Sequence, residues 1–247
     1  MFDFLRNHPF AVEAFFEYSL VLTYALPQQD LQPLIPECLR LDTFQDRWAF
    51  VALALVQTKA LRPKGLPAFL GSDFFLMGYR IFVRYATPTG RHLRGLYILR
   101  SETDSTRMAM LGSVFTHYGF TATDIDQHEQ EDRLQIRSQK SGVDILVNTH
   151  VSTGLPLPAH SPFPSWQQAR RYAGPLPFTF SVDPHHRHVL IVEGLREQWH
   201  PKPVEVIRAR VPLLQAAPFQ HSQLASAFII RQLPYWWKPG QRQPWNP

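Results

Sequence analysis

The sequence predicts an α+β fold that is β-rich, with antiparallel sheets and a few short helices. Three observations lead there. Twenty-two prolines punctuate the 247 residues and favour short elements over long helices. Runs of β-branched and aromatic residues recur along the chain, many separated by turn chemistry. Helical spacing of apolar residues is sustained in only two stretches. With 45% hydrophobic and 18% charged residues there is enough apolar material for one core, so a single domain over 1–247 is expected, with 232–247 as a Pro/Trp-rich C-terminal tail.

A first strand is expected over Tyr18 to Leu26, followed by a short helical turn capped by Asp30 and ended by Pro36. Strands around Leu39 to Phe44 and Trp48 to Thr58 flank the polar turn Gln45, Asp46, Arg47 and read as a hairpin. A second hairpin joins Tyr79 to Ala86 with Arg94 to Ser101 through Thr87, Pro88, Thr89, Gly90. Asp104 or Ser105 then caps a helix whose apolar side carries Met108, Leu111, Phe115 and Tyr118, and Gly119 stops it. Strands resume near Ala122 to Asp126, Arg133 to Ser138 and Val143 to Val151, the last two joined by Gln139 to Gly142. A helix from Ser165 to Ala173 precedes strands near Leu176 to Val182, Val189 to Leu195 and Val204 to Val211.

The apolar runs Leu20 to Leu22 and Trp48 to Val56 are far shorter than the roughly 18 residues of a membrane helix, so no transmembrane segment is expected. The N-terminus, with Asp3, Glu13 and Glu17, lacks the pattern of a signal peptide, and the single Cys38 excludes an intrachain disulfide; a cytoplasmic protein is expected. There is no glycine-rich dinucleotide turn, no phosphate loop and no nucleophile elbow. His185, His186 and His188 cluster beside Asp183, but the segment is turn chemistry, and adjacent histidines in a turn point apart. No metal and no cofactor are expected. After residue 200 six basic side chains face the lone acid Glu205, an excess that ordinarily marks a solvated face rather than a nucleic-acid site. The edge strands allow a homodimer without specifying one.

Strand parity nominates interior charges, because side chains two apart share a face. Arg80 and Arg84 flank Phe82; Glu193 shares its face with Val189, Ile191 and Leu195; Arg208 follows Val204 and Val206. Glu102, where a strand gives way to a helix, has no capping duty and can face a pocket mouth as acid or base, and His117 on that helix is a candidate proton carrier.

Several stretches together resemble a known family: Leu31 to Leu41, the strand Arg80-Ile-Phe-Val-Arg84, the helix end Thr116-His117-Tyr118-Gly119-Phe120, and Ala173-Gly174-Pro175-Leu176-Pro177-Phe178. Spread over roughly residues 15 to 215, their order resembles the uncharacterised domain of unknown function 2071, of the acetoacetate-decarboxylase-like superfamily. The resemblance implies a cone- or barrel-like fold around a central cavity. It also implies a Schiff-base lysine in a Gly-x-Pro-Lys segment, yet the similar segment here is Gly119-Phe120-Thr121-Ala122, without lysine. Among Lys59, Lys64, Lys140, Lys202 and Lys238 no two are adjacent, and only Lys59 ends an apolar strand. Where relatives carry an acid before the strand of Arg80, this chain has Leu76 and Met77.

The leading expectation is therefore a cavity that binds a small anionic or carbonyl-bearing molecule without covalent catalysis, Arg80 and Arg208 holding the anion. A lyase or isomerase using Glu102 or Glu193 as base is the second reading. The third is an interaction protein using Tyr235, Trp236, Trp237 and Trp245 interleaved with Lys238 and Arg242, against which stands a proline-rich strap laid on the domain's own surface.

Overall fold

A computed structural model describes residues 7–115, 118–150, 154–174, 176–183 and 186–245. Its strands are β1 (Val12–Pro27), β2 (Leu39–Leu41), β3 (Trp48–Pro63), β4 (Ser72–Ala86), β5 (His92–Thr103), β6 (Phe120–Ala122), β7 (Asp126–Gln130), β8 (Arg133–Ser138), β9 (Val143–Asn148), β10 (Phe178–Asp183), β11 (His188–Arg196), β12 (Lys202–Pro203), β13 (Glu205–Arg210), β14 (Gln223–Trp237) and β15 (Gln241–Pro244). The helices are α1 (Gln28–Leu31), α2 (Thr106–Phe115), α3 (Trp166–Tyr172) and α4 (Pro212–Gln215). None of the described helices is long and apolar enough to cross a membrane.

The large sheet runs β14-β1-β3-β4-β5-β10-β11 and returns on itself, because Gly194, Leu195 and Arg196 of β11 pair with Trp237, Trp236 and Tyr235 of β14. Seven strands thus form a ring, antiparallel except where β10 lies parallel to β5. A second sheet, β13-β9-β8-β7, covers part of its outer face. There Leu134, Ile136, Ile145 and Val147 join Leu22, Leu53, Phe75 and Met77 in the main core. The nearly unbroken apolar sequence of β3 follows: its outer face meets this core, its inner face lines the ring, and neither is solvated.

Local sequence rules hold in several places. Ser165 caps α3, its hydroxyl accepting from the Gln168 N–H, and Ser105 rather than Asp104 caps α2, accepting from the Met108 N–H. Asp104 instead accepts from the Phe75 N–H at 2.8 Å. Gly142 takes φ +67° in the turn joining β8 and β9, as a tight reversal requires.

Other expectations are corrected. β2 does not form a hairpin with β3; it pairs with β4, and only a Phe44–Trp48 bridge closes the turn. The reason is Asp42, which is fully buried (0% exposed) and accepts from Arg84 at 2.5 Å and Arg94 at 2.7 Å, drawing the segment onto β4 and β5. Asp30 caps no helix; its carboxylate meets His221. The expected Pro/Trp-rich tail is built into the ring, since residues 232–237 continue β14. β14 pairs on its second side at Phe228 and Ile229 and again from Tyr235, and Pro234 lies between, where a missing N–H costs no bond on that side.

Candidate functional site

The inner face of the ring encloses a cavity of about 410 Å³ to which all seven strands contribute side chains. Register sets its rows. Thr23, Ala52, Arg80 and Ile98 lie side by side across β1, β3, β4 and β5, and Val21, Ala54, Gly78 and Ser101 form the next row. One end is stopped by α3 and the aromatic cluster of Phe50, Phe82 and Phe163. Toward the other end the lining passes to Phe74, Leu61 and Phe10, and to Met108 and Leu111 of α2.

Among the described residues the lining contains Arg62, Arg80, Arg170 and Arg196 but no aspartate, glutamate or lysine. Arg62 is neutralised by Glu13 at 2.7 Å. Arg80 has no ion pair or side-chain hydrogen bond among the described residues, and its guanidinium folds back over Gly78, where a Cβ would stand 3.3 Å from Nε and Nη2. Burial lowers its pKa from the ordinary arginine value, while the nearby phenols of Tyr235 and Tyr118 raise it. Arg196 donates to the Tyr235 hydroxyl at 3.2 Å and lies 4.3 Å over the Trp199 ring; burial lowers its pKa too. Burial pushes the Tyr118 phenol up, against the pull of Arg80 and a hydrogen bond with Thr179. Four lining residues hold buried polar atoms without a hydrogen-bond partner: Thr23 Oγ1, Arg196 Nε, Trp199 Nε1 and His8 Nδ1.

Of the sequence candidates, Arg80 alone lies on this lining. His117 lies outside the described residues. Glu102 turns away because β5 carries an extra residue: Tyr79 pairs with Arg100 and Arg80 with Ile98, so Ser101 rather than Glu102 follows Ile98 on the cavity face. Glu102 is instead 1% exposed on the outer face, paired with Arg100 and accepting from Ser141 Oγ at 2.8 Å. Glu193 does share a face with Val189 and Ile191, but that face is the outer one, and its partner is Lys238 at 2.8 Å. Arg208 leaves the parity of Val206 through a register shift and pairs with Asp144 at 2.9 Å on the second sheet. The structure therefore does not unite Arg80 with Arg208; Arg80 shares the lining with Arg62, Arg170 and Arg196.

Sequence reasoning missed Arg196, and it assigned Tyr235 to an interaction tail instead of the cavity lining. The signal for Arg196 was present, for it follows Leu190, Val192 and Gly194 at two-residue spacing, the face opposite Glu193. Tyr235 was hidden by its proline-rich setting. A second depression, between the ring and the small sheet, is polar, and both of its described cations are paired: Lys59 meets Glu17 and Asp73, and Arg231 meets Glu129. Among the described residues no three His, Cys, Asp or Glu side chains gather as metal ligands.

The fold is that of acetoacetate decarboxylase, as the motifs implied. The enzyme from Legionella pneumophila superposes with a TM-score of 0.61 at 11% identity, covering 95% of this chain and 87% of that one. An acetoacetate decarboxylase-like enzyme from Sphingomonas wittichii RW1 gives 0.60 at 11% identity, over 98% and 95%. The enduracididine biosynthesis enzyme MppR, complexed with pyruvate, gives 0.52 at 12% identity, over 95% and 88%. At such identities the likeness speaks for the fold alone. No curated protein matches the chain in sequence. The sequence model of domain of unknown function 2071, an uncharacterized conserved protein, matches residues 15–239, and the chain belongs to that family.

Proposed function

We propose that the cavity binds a small organic anion non-covalently, Arg80 and Arg196 taking the anionic group. One observation carries this reading: two guanidinium groups stand in an apolar enclosure whose described lining offers no carboxylate to neutralise them. A buried unpaired charge is costly, and a bound anion offsets that cost with charge-assisted hydrogen bonds. MppR, of like fold, holds pyruvate, which makes 2-oxo acids and simple carboxylates the first class to test.

Schiff-base chemistry finds no amine here. No lysine is among the described lining residues, and Ala122, at the place of the superfamily's lysine, is exposed. A lyase or isomerase working through Glu102 or Glu193 lacks its base in the cavity, as both turn outward. The interaction reading loses two of its aromatics, since Tyr235 and Trp237 line the interior.

The test is calorimetric titration and thermal shift with pyruvate, acetoacetate and simple carboxylates at neutral pH. Saturable binding is expected, reduced at least tenfold in Arg80→Met and Arg196→Met. At a hundred times its Kd a ligand adds about 2.7 kcal/mol, a shift of several degrees for this size of domain. Binding untouched by both substitutions, or no binding of any such acid, would overturn the proposal.

A further inference from the structure

The lining beyond the arginines narrows what such an anion looks like. From the row of Gly78, over which the Arg80 guanidinium lies, the cavity continues along β4 past Leu76 to Phe74, four residues or about 13 Å of strand. Facing this stretch are Phe16 and Val21 of β1, Ala54 and Val56 of β3, and Ile230 of β14. Among the described residues the polar interruptions over that length are Ser19, Thr58 and Ser101, with no charge but the neutralised Arg62. The volume of about 410 Å³ lies in the range of pockets that hold drug-sized ligands, well above what a three-carbon acid fills.

The end away from α3 is also greasy on its outside. Phe10 and Leu111 line the cavity and are themselves exposed, and the segment between the lining residues Pro63 and Ser72 displays Leu66, Phe69 (83% exposed) and Leu70. Such apolar surface at a cavity mouth is what an apolar solute meets on its way in.

Resting on the anion-binding reading above, we infer that the ligand is an amphipathic monocarboxylate, its head at Arg80 and Arg196 and its hydrocarbon body lying along Leu76, Val56 and Ile230 toward the mouth. A short polar keto acid leaves most of that wall uncovered. The hydrocarbon wall then sets affinity and the arginines set orientation, the division of labour usual in mostly apolar ligand sites.

The experiment is a homologous series of straight-chain carboxylates, acetate to decanoate, titrated calorimetrically into the full chain below their micellar concentrations, alongside the matching alcohols. Affinity is expected to rise about fourfold per methylene until the cavity is full, and the acids to bind at least tenfold tighter than the alcohols. Val56→Phe, which fills part of the wall beside Leu76, is expected to weaken the longest acids tenfold or more and leave the shortest unchanged; the wild-type series decides the matter even where that variant folds poorly. An affinity that depends on Arg80 and stays flat with chain length would overturn this inference while leaving the anion site intact. Failure of every acid to bind, or binding indifferent to Arg80→Met, would remove the anion site as well.

Discussion

The phenol of Tyr235 lies on the backbone of Gly194, so close that a Cβ added there would overlap its oxygen and press on the ring. Gly194 is thus what lets Tyr235 reach Arg196 at the seam where β11 meets β14. Gly194→Ala is expected to cost about 1–3 kcal/mol in urea unfolding, the range of overpacked cores. A double-mutant cycle should expose the cause: Gly194→Ala is expected to cost clearly less in a Tyr235→Ala background. Equal costs in both backgrounds would place the strain elsewhere.

Arg80 trades stability for function. Without ligand, Arg80→Met is expected to stabilise the fold by up to about 1 kcal/mol, because a half-buried charge without an ion-pair partner is exchanged for a side chain of similar length that needs none. Urea midpoints of ligand-free protein measure this. The same variant is the one expected to lose anion binding.

Thr23 makes the corresponding point for a neutral group. Its hydroxyl is buried on the cavity row of Arg80 and has no hydrogen-bond partner. Thr23→Val is therefore expected to be neutral or stabilising by up to about 1 kcal/mol in the ligand-free protein. Thermal unfolding of the ligand-free variant beside the wild type checks this, and a loss of more than about 1 kcal/mol would show the hydroxyl to be satisfied.

Acid should loosen the small sheet first. The Lys140 N–H holds the Asp124 carboxylate at a pKa of about 2 against an ordinary 3.8, helped by the Ser138 hydroxyl and the Gln139 N–H. The folded pKa lies below the unfolded one, so the folded state binds fewer protons. Its stabilising effect is complete above about pH 4 and fades as pH falls through about 2. Asp124→Asn is expected to flatten stability over that window, read from unfolding curves at stepped pH. An unchanged pH slope would remove Asp124 from the account.

Much of the fold was legible where the signal is local. The Thr87 to Gly90 reversal, the helix beginning at Ser165 and the outline of β8 and β9 each follow from a few adjacent residues. What stayed hidden depends on partners far away in the chain. β14 reads as a basic, proline-rich end until β1 is laid against thirteen of its residues, and β2 reads as half a hairpin until the arginines on β4 and β5 claim Asp42. The site divides the same way. Arg80 was found by parity; Arg196 lay one residue out of phase with the Glu193 face, and no pattern in one strand tells which face a closing ring turns inward.

The extra residue in β5 makes the chemistry of the interior a matter of reading frame. A sheet offers each strand two phases, and one additional residue moves everything after it from one to the other. Here the shift presents a hydroxyl, Ser101, to the cavity and keeps a carboxylate, Glu102, one step behind the wall. Were Leu99 paired in the ladder instead of bulged out of it, strict alternation from Ile98 would carry Glu102 to Arg80's side of the ring. A pocket built to receive an anion and one equipped with its own acid thus differ by one bulge in one strand.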